Sequence, residues 1–465
     1  MNISEEMRKA HESLSKTSSK FLEFVEKNPW CLKHSQYEGL QWPWTFIKII
    51  FQPWPVFIDQ HLKKEAADAG ICVYNLIKQI PRKIFNFDAR AMSLYYEIPK
   101  GTIEYIMSGV TEDLFQHLMG RGDFVHSPSR GFKCMEYNIS GNLGGWELPF
   151  WLSMYLKTGP TKKFFEENHP EIINENLVAI ALKLYINNML QKFPLGGHEM
   201  NLVMVMRDHQ DGVANSPLEK YIVSMYAKIL QSVNKNLQGE LFVCDYNHLT
   251  VKGDYLYYKG KRVLYLQENY AGFVPEWILE VFRKGNLLLY LGPLTFLATN
   301  KLNIALLSEH EESALFTPEE RENIRKYIPW TRKTTPGQTR CREETVNLEP
   351  FVLANKEKLV LKPSLSYGGN QIQIGFLTPQ QEWEKEVNNA FQQKTWLVQE
   401  YIEPSRYLFQ EGEEGYGEHH VVWGMFVFAG IYTGSFLRTQ STESNKGVIN
   451  SLQGADLTVV FEVRE

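Results

Sequence analysis

Residues 358–375 read KLVLKPSLSYGGNQIQIG, and the build of the chain turns on this stretch. Two β-like runs, VLK and QIQIG, flank a Ser-Leu-Ser-Tyr-Gly-Gly turn and predict a pair of strands. Lys362 ends the first strand, so its ammonium stands beside a loop containing Ser366, Gly368 and Gly369. Glycines let backbone N–H groups approach a ligand closely, and an ammonium next to such groups suits phosphate oxygens. Taken alone, the same residues also describe an ordinary hairpin turn.

Working outward, a helix pattern over Pro379–Gln392 leads to WLVQEYIE at 396–403. That strand ends in Gln399, Glu400, Tyr401, Ile402 and Glu403, whose backbone edge and carboxylates can read a base amino group and sugar hydroxyls. The runs HHVVWGMFVFAG, IYTGSFLR and LTVVFEV then predict a mostly antiparallel sheet. Within it, Arg438 ends a strand, where a guanidinium can neutralise charge on a transferred phosphoryl group; a surface arginine is the bland account.

Toward the N-terminus, GDFVHSPSRGFKCMEYN at 122–138 predicts a second hairpin, closed by Ser-Pro-Ser-Arg-Gly. Asp123 and Glu136 fall on its neighbouring strands, and Asn138 shares a face with Glu136 because strand side chains alternate. Two carboxylates and an amide oxygen make a hard oxygen site suited to Mg²⁺, which keeps the rest of its shell for water and phosphates. A pair of solvated acids beside a turn asparagine fits the same residues.

Between these elements the pattern is mixed. Residues 1–30 and roughly 58–90 carry helical spacing, and a further helix over Gly101–Met119 is expected to end at Gly120. WELPFWLSMYLKTG also reads as helix. Leu202–Met206, a helix over Pro217–Val233 and ELFVCD form a predicted βαβ unit, with Asp208 and Asp211 in its loop. DYLYYKGKRVLYL reads as a hairpin, and Trp277–Arg283 and Pro293–Leu307 as helices. The polar segment 308–350 reads as a mobile connection between lobes.

Composition excludes several classes. A net charge of −5 argues against a nucleic-acid binder. Five scattered cysteines without CxxC spacing form neither a disulfide framework nor a zinc site, and fit a reducing cytoplasm. The first residues are polar, with no apolar signal core. The run Trp42–Ile58 carries Lys48 and three prolines and is too broken for a spanning helix. It reads as a Pro-kinked packing segment or an interfacial contact. The 12 histidines are scattered, and His419-His420 has no third ligand nearby in the sequence.

As an ordered set, these segments resemble the synthetase domain of glutathionylspermidine synthase and its homologues, ATP-grasp ligases in which metal ligands precede the nucleotide lysines. The R-x-D and E-Y-N-x(8)-E elements are Arg121, Asp123, Glu136, Asn138 and Glu147; the S-N-K helix start is Thr299-Asn300-Lys301. The strand Lys-Pro with its Gly loop is Lys362-Pro363 and Gly368-Gly369, and G-x-Y-x-G-x-x-x-R is Gly430, Tyr432, Gly434 and Arg438. The resemblance implies an α/β (α+β) ATP-grasp fold with a helical region at 1–100 and a metal-binding part at 101–200. A pre-ATP-grasp α/β lobe at 201–300 and a nucleotide lobe at 301–465 complete it.

It further implies two Mg²⁺ ions on Asp123, Glu136 and Asn138, ATP phosphates on Lys301 and Lys362, and an adenine end at Gln399–Glu403. Arg121 and Arg438 would contact the transferred phosphoryl and acyl phosphate. The partners implied are a small-molecule or short-peptide acid and an amine, joined as an amide. Three departures stand out. No amidase segment is present, Ile139-Ser140-Gly141-Asn142-Leu143 replaces an acidic residue and Thr-Pro after E-Y-N, and Tyr367 stands where the Gly loop often has Arg. The second falls where substrate recognition is expected, so the ligase chemistry carries over further than the substrate.

Overall fold

A nine-residue strand, Met119–Ser127, sits one strand in from an edge of the largest sheet and pairs on both sides. The computed structural model describes residues 3–33, 50–108, 118–141, 143–145, 147–193, 199–206, 216–269, 274–290, 292–366, 368–444 and 447–465. On one side of the strand, Gly131–Ile139 completes the expected hairpin. On the other side lies Gly415–Phe428, paired antiparallel across 119–124. Ile431–Ser441, Asp456–Arg464 and the short Val56–Ile58 extend the sheet outward, the last of them parallel. Arg406–Glu411 and Glu171–Ile172 attach along its edges and bring it to eight strands.

Helix Gln60–Lys83 covers one face of this sheet, and small residues set the spacing. A Cβ on Gly70 would lie 3.1 Å from Val427, so the glycine brings helix and sheet close. On the same face, Gly120 and Gly122 leave room for the ring of Tyr137, which packs over them. Tyr137 and Tyr74 donate to the Gly70 and Leu118 carbonyls at 3.4 and 3.0 Å, closing the contact with buried hydrogen bonds.

A second sheet is wholly parallel, in the order Leu288–Tyr290, Tyr265–Glu268, Leu202–Val205, Leu241–Cys244. It contains the predicted βαβ unit, whose helix Pro217–Val233 opens on a reciprocal capping box between Ser216 and Glu219. All four residues of Leu202–Val205 are buried, as a parallel strand covered on both faces requires. A third sheet runs Thr331–Lys333, Trp396–Glu400, Leu359–Pro363, Gln373–Ile374, entirely antiparallel. Trp383, Val387 and Phe391 of helix Gln380–Gln393 back it from behind, with Val352 of Leu348–Ala354.

Several elements differ from the sequence reading. The helix expected over Gly101–Met119 spans Lys100–Ser108 in the described part, and Met119 already belongs to the sheet, so Gly120 caps no helix. The 308–350 segment is built rather than a bare connection: it holds helix Pro318–Tyr327 with its own capping box, an edge strand of the third sheet, and a hairpin over 338–347. Polar composition concealed it because that helix buries only Ile324 and Tyr327. The aromatic hairpin stops at Arg262, and Tyr265–Glu268 leaves it for the parallel sheet. Pro293–Leu307 is broken into short turns ahead of helix Leu302–Glu309. Val56–Ile58 is a strand that the packing-segment reading did not anticipate. Asp208, Asp211, Asn142, Tyr367 and the run before Ile50 lie outside the described residues. Among those described, no helix is long and apolar enough to cross a membrane.

The loop leaving the hairpin touches the parallel sheet directly, and a Cβ on Gly141 would stand 2.0 Å from the Glu268 carbonyl oxygen. Backbone cannot yield as a side chain can, so Gly141→Ala is expected to cost about 1–3 kcal/mol. Gly101→Ala, whose added Cβ meets nothing within 4 Å, should be neutral or slightly stabilising. Urea denaturation of both variants measures the difference.

Candidate functional site

Strand pairing sets the first half of the site. Arg121 lies opposite Asn138 and Asp123 opposite Glu136, which puts all four on one face of the large sheet. The ladder then slips between Asp123 and Phe124, leaving Met135 as an extra residue on the partner strand. Such bulges turn side chains locally, and Met135 joins Asp123 and Glu136 in lining an open cleft.

Asp123 is the hub. Arg121 reaches its two oxygens with Nε at 2.8 Å and Nη2 at 3.1 Å, and Arg438 Nη2 lies 2.9 Å from Oδ2. Arg438 comes from Ile431–Ser441, two strands away, opposite Val422 on the intervening strand, two residues from the Gly424 that pairs with Asp123. Gly424 has no side chain because the Phe436 ring lies over it, where a Cβ would stand 2.4 Å from that ring. The same ring carries the Arg121 guanidinium 5.8 Å from its centre. The Nε of Arg438 is buried without a hydrogen-bond partner among the described residues. A buried, unsatisfied guanidinium nitrogen is costly and marks a place for an anionic ligand.

Lys301 and Lys362 supply the second half. Lys301 precedes helix Leu302–Glu309, as its Thr-Asn-Lys context predicted. Its Nζ donates to the Ser366 carbonyl at 2.7 Å and lies 3.4 Å from Glu136, linking the glycine loop to the hairpin. Burial alone would raise the Glu136 carboxyl, but Lys301 foremost, with Lys362 and Arg438, holds it below the usual carboxylate range. Asn138 Nδ2 sits 3.3 Å from the other Glu136 oxygen. Lys362 lines the cleft and donates to Gln399 Oε1 at 2.6 Å, and burial lowers its pKa to about 8.

The remaining expected residues divide. Gly369, Tyr401 and Ile402 line the cleft, together with Ile372, Ile374, Val360 and Val448. Gly368 sits beside it, its carbonyl accepting from Gln453 Nε2 at 3.0 Å. Gln399 stands behind Lys362 and does not line the cleft. Glu400 turns away to a two-pronged pair with Arg130 at 2.8 and 3.0 Å, and Glu403 is exposed. Sequence reasoning missed Val125 and Val360, although each stands two residues from a residue already singled out and so shares its face. It also missed Gly447–Asn450, for which no local signal exists. Val448 lies where a Cβ on Gly369 would come within 2.6 Å, so the loop after Ser441 packs on the glycine turn.

The cleft thus combines charged and apolar lining groups. Asp123, Glu136, Lys362 and Arg438 line it together with Tyr401, Ile402, Ile372 and Ile374. Among the described residues, no three His, Cys, Asp or Glu groups gather as a self-sufficient metal site. Glu136 with Asn138, beside Asp123, is the sparser oxygen set that suits a Mg²⁺ also held by ligand phosphates.

The arginine pair allows a direct test of the hub. Asp123→Asn leaves two buried guanidiniums without their shared carboxylate, and breaking one side of such an arrangement costs about 3–5 kcal/mol. The urea midpoint of that variant should fall accordingly, while Glu403→Gln, at an exposed side chain, should not move it.

No family model matches the sequence, and no curated protein matches it. Among solved structures, the chain is similar to a glutathione synthetase-like effector from Globodera pallida in its apo form, with a TM-score of 0.59. The likeness covers 97% of this chain and 99% of that one at 11% sequence identity. At that identity it shows the fold alone: a mixed α/β architecture like that of the glutathione synthetase-like effector, a coarser statement than the glutathionylspermidine synthase resemblance of the motifs.

Proposed function

We propose that the cleft binds ATP with Mg²⁺ and that the chain is an ADP-forming carboxylate–amine ligase. The observation that carries this is the meeting of Lys362 and the glycine turn with Asp123, Glu136 and Arg438, brought from two different sheets to one cleft that apolar side chains also line. Lys301 and Lys362 would hold the phosphates, and Tyr401 and Ile402 would flank the adenine. Glu136 and Asn138 would hold Mg²⁺, with Asp123 contributing lone pairs not used by its arginines. When bound, Mg²⁺ would neutralise charge on the phosphates.

The chain's own residues account for the rest. Arg438, with its unpartnered Nε, faces negative charge developing as the γ-phosphoryl moves to a substrate carboxylate. Arg121 is anchored by Asp123 and by the Gly144 carbonyl at 2.6 Å, and so is fixed where the acyl phosphate would stand. An amine then attacks the acyl carbon, giving an amide, ADP and phosphate. We place the acid and amine among small peptides or amino-acid-derived metabolites. The motif order leads us to favour the glutathionylspermidine synthase-like branch, with the helical, metal-binding, pre-ATP-grasp and nucleotide parts divided as the sequence suggests.

A second reading is a nucleotide-binding homologue without turnover. Two observations favour it: the similar solved structure is described as an effector, and Asp123 is already neutralised by Arg121 and Arg438 without a ligand. ADP release measured against panels of amino acids and small peptides separates the two. A ligase shows amine-dependent ADP and phosphate formation, and Glu136→Gln abolishes it while leaving the circular dichroism spectrum unchanged. ATP binding without product supports the second reading, and absence of ATP binding sinks both.

The pH dependence of binding follows from Lys362. Its folded pKa, lowered by burial to about 8, means the ammonium is lost as pH rises through that value. Affinity for ATP should therefore be steady near pH 6.5–7.5 and fall above about pH 8, as followed by calorimetric titration. Lys362→Met should be weak throughout and lose that limb.

A further inference from the structure

Lys301 and Lys362 approach the same cleft with different partners. Lys301 lies beside a carboxylate, Glu136, whereas the hydrogen-bond partner of Lys362 is a neutral amide. The amide belongs to Gln399, which is fully buried on the central Trp396–Glu400 strand of the third sheet. A lysine ammonium only donates, so the Gln399 oxygen must face it and the amide NH₂ must point the other way. There Nε2 donates to Thr331 Oγ1 at 3.1 Å, and that hydroxyl donates to the Pro329 carbonyl at 2.8 Å. The register permits this path, because Gln399 is the cross-strand neighbour of both Thr331 and Val360, and Val360 shares its face with Lys362. Each donor in the chain has its acceptor, and the chain ends on backbone.

We infer that Gln399 is a positioning residue, which holds the Lys362 ammonium at the cleft through the Thr331 relay. The inference rests on the ATP-binding reading above and adds a residue to it. Glu136 and Asp123 of the hairpin and Lys301 also face Lys362, so the ammonium sits among opposing charges that would draw it to either side. A carboxylate at position 399 would neutralise the ammonium before any phosphate arrived. An apolar residue would let it swing to Glu136. The amide fixes the ammonium's place, uses one of its three donors and leaves its charge for the ligand. Of the segment expected at the adenine end, Gln399 therefore acts at the phosphate end.

The test is a double-mutant cycle on ATP binding, measured calorimetrically on the full chain with urea midpoints recorded alongside. Gln399→Met should weaken ATP binding about tenfold, and Lys362→Ala by as much or more. In the Lys362→Ala background, Gln399→Met should have no further effect. Where turnover is measurable, Gln399→Met should raise the ATP KM and leave kcat in place. Thr331→Val cuts the relay at its far end and should weaken binding in the same direction by less; it carries the test should Gln399→Met fail to fold. Equal loss in both backgrounds would show that Gln399 acts through packing and would overturn the inference. So would wild-type affinity in both Gln399→Met and Thr331→Val, with Lys362→Ala impaired. A wild-type chain that binds no ATP would instead remove the underlying reading.

Discussion

The pairing of Met119–Ser127 with Gly415–Phe428 is the contact on which the site depends. It joins a strand from the first third of the chain to one near its end. Without it, Asp123 and Arg438 would belong to separate pieces of sheet. With it, the glycine at 424 lies in register between Asp123 and Phe436, and its missing side chain gives the Phe436 ring room to support Arg121. Antiparallel pairing is well suited to this role because its side-chain period is two: a one-residue slip would turn Asp123 to the opposite face. The Tyr137 ring, packed over Gly120 and Gly122, helps hold the register.

The third sheet faces this one with a different design. Its outer face is a compact apolar layer around Trp383, Val398 and Leu361. Its inner face carries buried polar side chains, Lys362, Gln399 and Thr331, tied in one directional chain. Buried polar groups are tolerated only when satisfied, and here the satisfaction is local to the sheet, so Lys362 remains available at the cleft. The large sheet solves the same problem by pairing opposite charges on Asp123. One wall of the cleft is therefore a neutralised cluster, and the other a cation on a neutral support.

Contacts from outside the two sheets join them. Arg130, at the tip of the hairpin, reaches Glu400 at the end of the strand that carries Gln399. Ser405 donates through both backbone N–H and hydroxyl to the His126 carbonyl. The loop after Ser441 lies over the glycine turn, with Val448 and Gln453 against Gly369 and Gly368. A partly exposed ion pair contributes little alone, but the two-pronged Arg130–Glu400 geometry joined by Arg342 at 3.6 Å favours one arrangement of the walls.

What local chemistry can encode was legible along the chain. Period-two patterns marked both hairpin strands around 128–130, helical spacing marked Gln60–Lys83 and Pro217–Val233, and the Lys-Pro and glycine turn marked the end of a strand. The grouping of Asp123, Glu136 and Asn138 was legible because a hairpin puts the first two on neighbouring strands and alternation puts the last two on one face. The rest came from contacts between distant segments. Glu400 is equally polar whether it faces the cleft or Arg130, and Gln399 equally amphiphilic beside a base or a lysine. Val448 carries no mark of its contact with Gly369, and the polar 308–350 segment none of its place beside the third sheet. Those outcomes are set by which strands become neighbours, and strand neighbours far apart in the chain leave no periodic trace in either segment.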